Sequence, residues 1–74
     1  MTEKIIEVDH AAKKLVVEKS SDFAPGKTVK LLNPEGAQVG TATITGATAQ
    51  GDWLWLTLAE PLHKKIRAGF LIEL

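Results

Sequence analysis

The chain has 74 residues and no cysteine, and its nine basic residues balance nine acidic ones. This length allows a single domain (1–74), and the lack of cysteine excludes disulfides and thiolate metal sites as sources of stability. Because nonspecific binders of polyanions carry a basic excess, zero net charge argues against that class.

The first half of the chain predicts three strands. Short β-branched runs separated by turn residues are typical of an all-β protein. A first strand is predicted at Ile5–Val8 and a second at Lys14–Lys19, joined by a hairpin loop at Asp9–Lys13. Residues 23–26 then turn the chain into a third strand, Lys27–Leu32.

The second half predicts three more strands. Asn33–Gly36 has the residue order of a type I turn, with Asn first, Pro second and Gly last. A fourth strand follows at residues 37–45, and a loop at residues 47–52. The fifth strand is Trp53–Ala59, and the sixth is Phe70–Leu74.

Two stretches of the chain share one pattern. Residues 23–31 and 66–74 both place an apolar residue three positions before a glycine, and apolar residues three and five positions after it. The pattern predicts a six-stranded barrel of two pseudo-twofold-related halves, residues 3–32 and 37–74, whose closure would remove exposed sheet edges. Chance recurrence of a common phrase, and an open sandwich in place of a barrel, stay open as alternatives.

The two glycine phrases resemble the GD box of cradle-loop barrels, which include the RIFT and swapped-hairpin types. The Asp of that box is absent here, since Lys27 follows Gly26 and Phe70 follows Gly69. The chain is also similar to small β-modules of phage structural proteins, which position or decorate an assembly without catalysis. The residues that carry this second resemblance are Val8-Asp9, Ala12-Lys13, Leu15-Val16-Val17, Phe23 to Gly26 with Val29, Gly40 to Ile44, and Leu56 to Leu62 with Ile66 to Gly69.

The chain has no catalytic or cofactor signature. Gly26-Lys27-Thr28 is similar to the end of a phosphate-binding loop, but Ser21 stands where that motif needs glycine and a strand follows instead of a helix. His10 and His63 lie in predicted loops without a third ligand at metal-site spacing. We therefore expect no enzyme activity, no cofactor and no metal.

The strand that begins at Trp53 is apolar on both faces. Because side chains alternate along a strand, Leu54, Leu56 and Leu58 share one face and Trp53 and Trp55 share the other. We predict that the leucines join the core with Val29, Leu31, Ile44, Ile72 and Leu74. The tryptophans then face outward, beside Thr43 and Thr45 if the fourth and fifth strands pair, and mark a contact surface for a partner protein.

These features lead to one main functional hypothesis and two alternatives. The main one is a non-catalytic assembly module of a phage virion, either capsid decoration or a tail protein, that associates with itself or with a larger lattice. The first alternative is a carbohydrate-binding module that uses both tryptophans. The second is a nucleic-acid-binding barrel, with Lys64, Lys65 and Arg67 contacting phosphates and the indoles stacking on bases.

The sequence also bears on location. No segment approaches the ~20 apolar residues of a membrane helix, and residues 1–7 lack the apolar run of a secretion signal. We therefore expect a cytoplasmic or virion protein that does not act at a membrane.

Overall fold

The computed structural model describes residues 2–19 and 22–74, and these contain β-strands and turns but no helix. The prediction of an all-β protein is confirmed. The same residues contain no helix that could cross a membrane. The seven strands are β1 (Thr2–Lys4), β2 (Glu7–Asp9), β3 (Lys14–Glu18), β4 (Thr28–Leu32), β5 (Gln38–Gln50), β6 (Trp53–Leu58) and β7 (Leu71–Glu73).

The strands form one antiparallel sheet in the order β1-β7-β4-β5-β6-β3-β2. Its two edge strands, β1 and β2, are consecutive in the chain, and no ladder joins them among the described residues. The sheet is therefore open in its hydrogen-bond order. The link between the edges is short: Ile5 N donates to Phe70 O at 2.7 Å, and Ile6 N donates to Val16 O at 2.8 Å.

The prediction of six strands is wrong, because the structure has seven in the residues that it describes. The predicted first strand divides into β1, which pairs with β7, and β2, which pairs with β3. The chain turns from one edge of the sheet to the other at Ile5 and Ile6, so neither ladder continues through these residues.

The fourth strand is longer than predicted. β5 runs for 13 residues and includes most of the stretch 47–52 that the sequence assigned to a loop. Its first part pairs with β4 and its second part with β6, with a register shift between Ile44 and Gly46. The predicted loop is reduced to a turn at Gly51 and Asp52. Residues 47–50 form a strand because β6 supplies their hydrogen-bond partners, and Ala, Thr and Gln side chains are compatible with that pairing.

The predicted turn at Asn33–Gly36 and the predicted hairpin loop at Asp9–Lys13 are confirmed. Asn33 O accepts from Gly36 N at 2.8 Å in the β4–β5 hairpin, and the Asn33 side-chain oxygen accepts from Ala37 N at 2.8 Å. The Asp9 carboxylate accepts from Ala12 N at 3.1 Å in the β2–β3 hairpin.

The core is a single apolar cluster under the sheet, and no polar or charged residue among those described is buried. The predicted leucine row is confirmed, since Leu54, Leu56 and Leu58 are 6%, 0% and 1% exposed. Leu74 is the exception at 39% exposed, because β7 ends at Glu73 and Leu74 lies past the last pair of both its ladders. The cluster consists of Ile5, Leu15, Val17, Phe23, Val29, Leu31, Ala42, Ile44, Leu54, Leu56, Leu58, Leu62, Ile66, Phe70 and Ile72.

The repeated glycine phrase forms the same turn twice. Gly26 and Gly69 both have positive φ, at 92° and 99°, a conformation that glycine adopts without steric cost. Gly26 N donates to Ile44 O at 2.8 Å, and Gly69 N donates to Ile5 O at 2.9 Å. Each isoleucine N–H in turn donates to the carbonyl of the residue after the glycine, at 2.9 and 2.7 Å respectively.

The strands that follow and precede these turns are also matched. β4 and β7 pair so that Lys30, four positions after Gly26, lies opposite Glu73, four positions after Gly69. Leu58 N donates to Lys13 O at 2.8 Å, and Lys19 N donates to Asp52 O at 2.9 Å. These two bonds are equivalent, because Lys13 and Lys19 lie 39 positions before Asp52 and Leu58 respectively. At that same spacing Val16 of β3 lies opposite Trp55 of β6.

Ile5 and Ile6 provide a matched test of this arrangement, since the two identical side chains are 0% and 40% exposed. We expect Ile5→Val to lower the free energy of unfolding by about 0.5–1.5 kcal/mol and Ile5→Ala by about 2–5 kcal/mol, because each leaves a cavity in the core. Ile6→Ala should cost less than about 1 kcal/mol. Urea denaturation measures all three. Equal losses at positions 5 and 6 would contradict the assignment of Ile5 to the core.

Candidate functional site

The outer face of β6 carries both tryptophans. With the leucines of β6 in the core, alternation directs Trp53 and Trp55 to the opposite face of the sheet. Trp53 is 44% exposed, the highest value among the large hydrophobic residues described, and Trp55 is half-buried. The predicted orientation of this strand is confirmed.

Val16 makes this face more apolar than the sequence suggests. It lies directly opposite Trp55, so both side chains project from the outer face. Val16 is only 3% exposed but does not belong to the core cluster. Directly paired residues bring their Cβ atoms to about 5 Å, which places the Trp55 indole where it can cover Val16. The outer face therefore has its own small apolar centre.

Polar side chains surround that centre. In the row of Val16 and Trp55, the register adds Glu7 from β2 and Thr48 from β5. In the row of Trp53, it adds Glu18 from β3 and Gln50 from β5. We call this set the tryptophan face: Glu7, Val16, Glu18, Thr48, Gln50, Trp53 and Trp55.

Thr43 and Thr45 do not flank the tryptophans, which corrects the sequence expectation. Thr43 pairs with Thr28 of β4, and the Thr45 hydroxyl donates to Thr57 O at 3.3 Å near the register shift. The expectation assumed a shorter fourth strand. Because β5 continues to Gln50, the residues opposite the indoles are Thr48 and Gln50.

The predicted basic residues lie together around a surface pocket of about 440 Å³. Its charged lining is Lys64, Lys65 and Arg67, and its apolar lining is Ile66 and Phe70. The sixth lining residue is His10, from the β2–β3 hairpin. We call this the basic pocket. The sequence predicted only that His10 lies in a loop, and nothing in its sequence neighbourhood indicates this long-range contact.

His10 ties its hairpin to the basic loop. Its Nε2 lies 2.7 Å from Ile66 O. A carbonyl oxygen can only accept, so Nε2 carries the hydrogen and donates it. His63 has a different role: its Nδ1 accepts from Lys65 N at 3.1 Å within the loop. No group of three or more His, Asp or Glu residues able to hold a metal occurs in the part of the chain that the structure describes.

No model of a protein family matches the chain, and no curated protein matches its sequence. The two surfaces must therefore be interpreted from their own chemistry.

The different exposure of the two indoles can be measured. Trp55→Phe leaves Trp53 as the only tryptophan, and Trp53→Phe leaves Trp55. We expect acrylamide to quench the fluorescence of the first variant more steeply, because Trp53 is the more exposed residue. The red shift of its emission should also be larger. The reverse order would contradict the described outer face.

Proposed function

We propose that the protein is a non-catalytic assembly module that docks through the tryptophan face onto a second copy of itself. A phage virion, with the protein as capsid decoration or as a tail component, is the setting that its resemblance to phage β-modules favours. The proposal rests on the exposure of Trp53, whose side chain is 44% exposed beside the apolar pair of Val16 and Trp55.

The fold does not require tryptophan at these positions. At the 39-position spacing that relates the two halves, Lys14 corresponds to Trp53 and Val16 corresponds to Trp55. β3 therefore forms the equivalent strand with a lysine and a valine on its outer face. Since contiguous apolar surface marks interaction sites, the two tryptophans beside Val16 are better explained by contact with a partner than by stability.

The composition of the tryptophan face suits a protein interface. Protein interfaces combine an apolar centre with a polar rim, and tryptophan is enriched among the residues that contribute most to binding. Here Val16 and Trp55 supply the centre, while Glu18, Thr48 and Gln50 supply the rim. A standard interface covers ~800 Å² on each partner, a substantial part of the 4326 Å² that the chain exposes.

We further propose that the sheet closes into a barrel of two pseudo-twofold-related halves, with β1 and β2 acting as one bent strand. The paired hydrogen bonds at Gly26 and Gly69 support this arrangement, as does the direct pairing of Lys30 with Glu73. In such a barrel the outer faces of β3 and β6 lie next to one another on the pseudo-axis, at Val16 and Trp55.

Sedimentation velocity over a wide concentration range tests the docking proposal. We expect the wild-type chain to associate reversibly. Trp53→Ser and Trp55→Ser should each weaken the association by at least about tenfold, since truncating a tryptophan that acts as a binding hot spot costs about 2 kcal/mol or more.

Leu74→Ser is the matched control, because Leu74 is similarly exposed at 39% but lies at the end of β7, outside the tryptophan face. This variant should associate as the wild type does. A chain that stays monomeric at millimolar concentration would contradict self-docking, and so would an equal loss in the Leu74 variant.

Glu18 and Gln50 favour carbohydrate as the second candidate ligand. They lie on either side of Trp53 in one cross-strand row, and sugar sites combine a flat aromatic surface with hydrogen-bonding groups beside it. Titration of a glycan panel should then shift the indole emission, and Gln50→Ala should remove the shift. A flat response across the panel would exclude this candidate.

A further inference from the structure

The basic pocket concentrates positive charge in a molecule of zero net charge. Three of the nine basic residues of the chain line it, and no carboxylate does. The side chains of Lys64, Lys65 and Arg67 make no ion pair or hydrogen bond with any residue that the structure describes. An anion bound in the pocket would be attracted by all three charges.

The loop that presents these cations is held in place at several points. Ile66 is fully buried in the core, Ile66 N donates to His63 O at 2.9 Å, and Phe70 N donates to Arg67 O at 3.1 Å. The His10 ring donates to Ile66 O from the neighbouring hairpin. Because the backbone between the cations is fixed, a ligand would not have to order it on binding.

The fold does not need these charges. Ile66 and Phe23 stand three positions before the paired glycines, and both are buried. Counting from them, Lys65 corresponds to Asp22 and Arg67 corresponds to Ala24. The equivalent turn therefore forms with an acidic and a small residue in place of the two cations.

We propose that the basic pocket binds a phosphate or diphosphate group of a small molecule, independently of the docking proposed for the tryptophan face. Arg67 can donate two parallel hydrogen bonds to such an oxyanion, and the lysines supply compact charge beside it. The pocket is open to solvent, and its volume of about 440 Å³ leaves room for such a group. The tryptophans lie on another part of the surface, which favours a compact anion over a strand with stacked bases.

Calorimetric titration with inorganic phosphate and with pyrophosphate tests the proposal, with backbone amide NMR shifts to locate the site. We expect saturable binding, tighter for pyrophosphate, with shifts confined to residues 63–70 and His10. The triple variant Lys64→Ala, Lys65→Ala, Arg67→Ala should bind pyrophosphate at least about tenfold more weakly, because it removes three charge-assisted contacts.

The control is Lys19→Ala, Lys27→Ala, Lys30→Ala, which changes the net charge equally at three exposed residues outside the pocket. It should change the affinity by less than about twofold, as expected for distant, solvent-screened charges. Equal weakening in both triple variants would overturn the site in favour of general charge attraction, and lack of saturation at millimolar pyrophosphate would overturn it outright.

An oligothymidylate titration distinguishes the source of the phosphate. Weaker binding of the oligonucleotide than of pyrophosphate supports the small ligand. Tighter binding that needs the same three residues and falls steeply with salt would overturn the ligand class in favour of a nucleic-acid strand. Association measured by sedimentation should be unchanged in the triple variant, so failure of this site and failure of the docking proposal give different results.

Discussion

A sheet with one interior can bury only one side of each strand, and β6 is apolar on both sides. The leucine side fills the core, where Leu56 is fully buried. The tryptophan side is left on the surface, and Trp55 there shares a row with Val16. Burying the indoles instead would move every residue of β6 to the other face, since the side-chain period of a strand is two. The exposed aromatic pair follows directly from this constraint.

The pairing of Gly26 with Ile44, and of Gly69 with Ile5, gives the molecule two equivalent turns. Residues at equivalent positions of the two halves can therefore be compared. Residue types that both halves share are explained by the fold, whereas surface residues that differ between the halves need another explanation. The buried residues before the glycines are apolar in both halves, as are the core-facing residues of the strands that follow. The tryptophans and the cationic loop occur only in the second half. The first half forms the equivalent strand and turn without them, so the fold does not explain either candidate site.

Sequence reasoning identified the elements that depend on local chemistry. The Asn33 turn and the alternation in β6 follow from residue type and spacing. It failed where long-range pairing decides the outcome. The weak strand propensity of residues 47–50 hid the second half of β5, and this misplaced Thr43 and Thr45 beside the indoles. His10 was missed for the same reason, since its bond spans 56 positions of the chain.

The two candidate sites lie toward opposite ends of β6. Trp53 begins the strand, whereas Leu58, its last residue, donates to Lys13 O in the hairpin that also carries His10. Five residue steps along a strand correspond to about 17 Å, more than the Debye length of ~8 Å at physiological salt. A protein docked around Trp53 therefore need not cover the cations beyond the other end of the strand. The geometry favours two separable binding events on one small sheet.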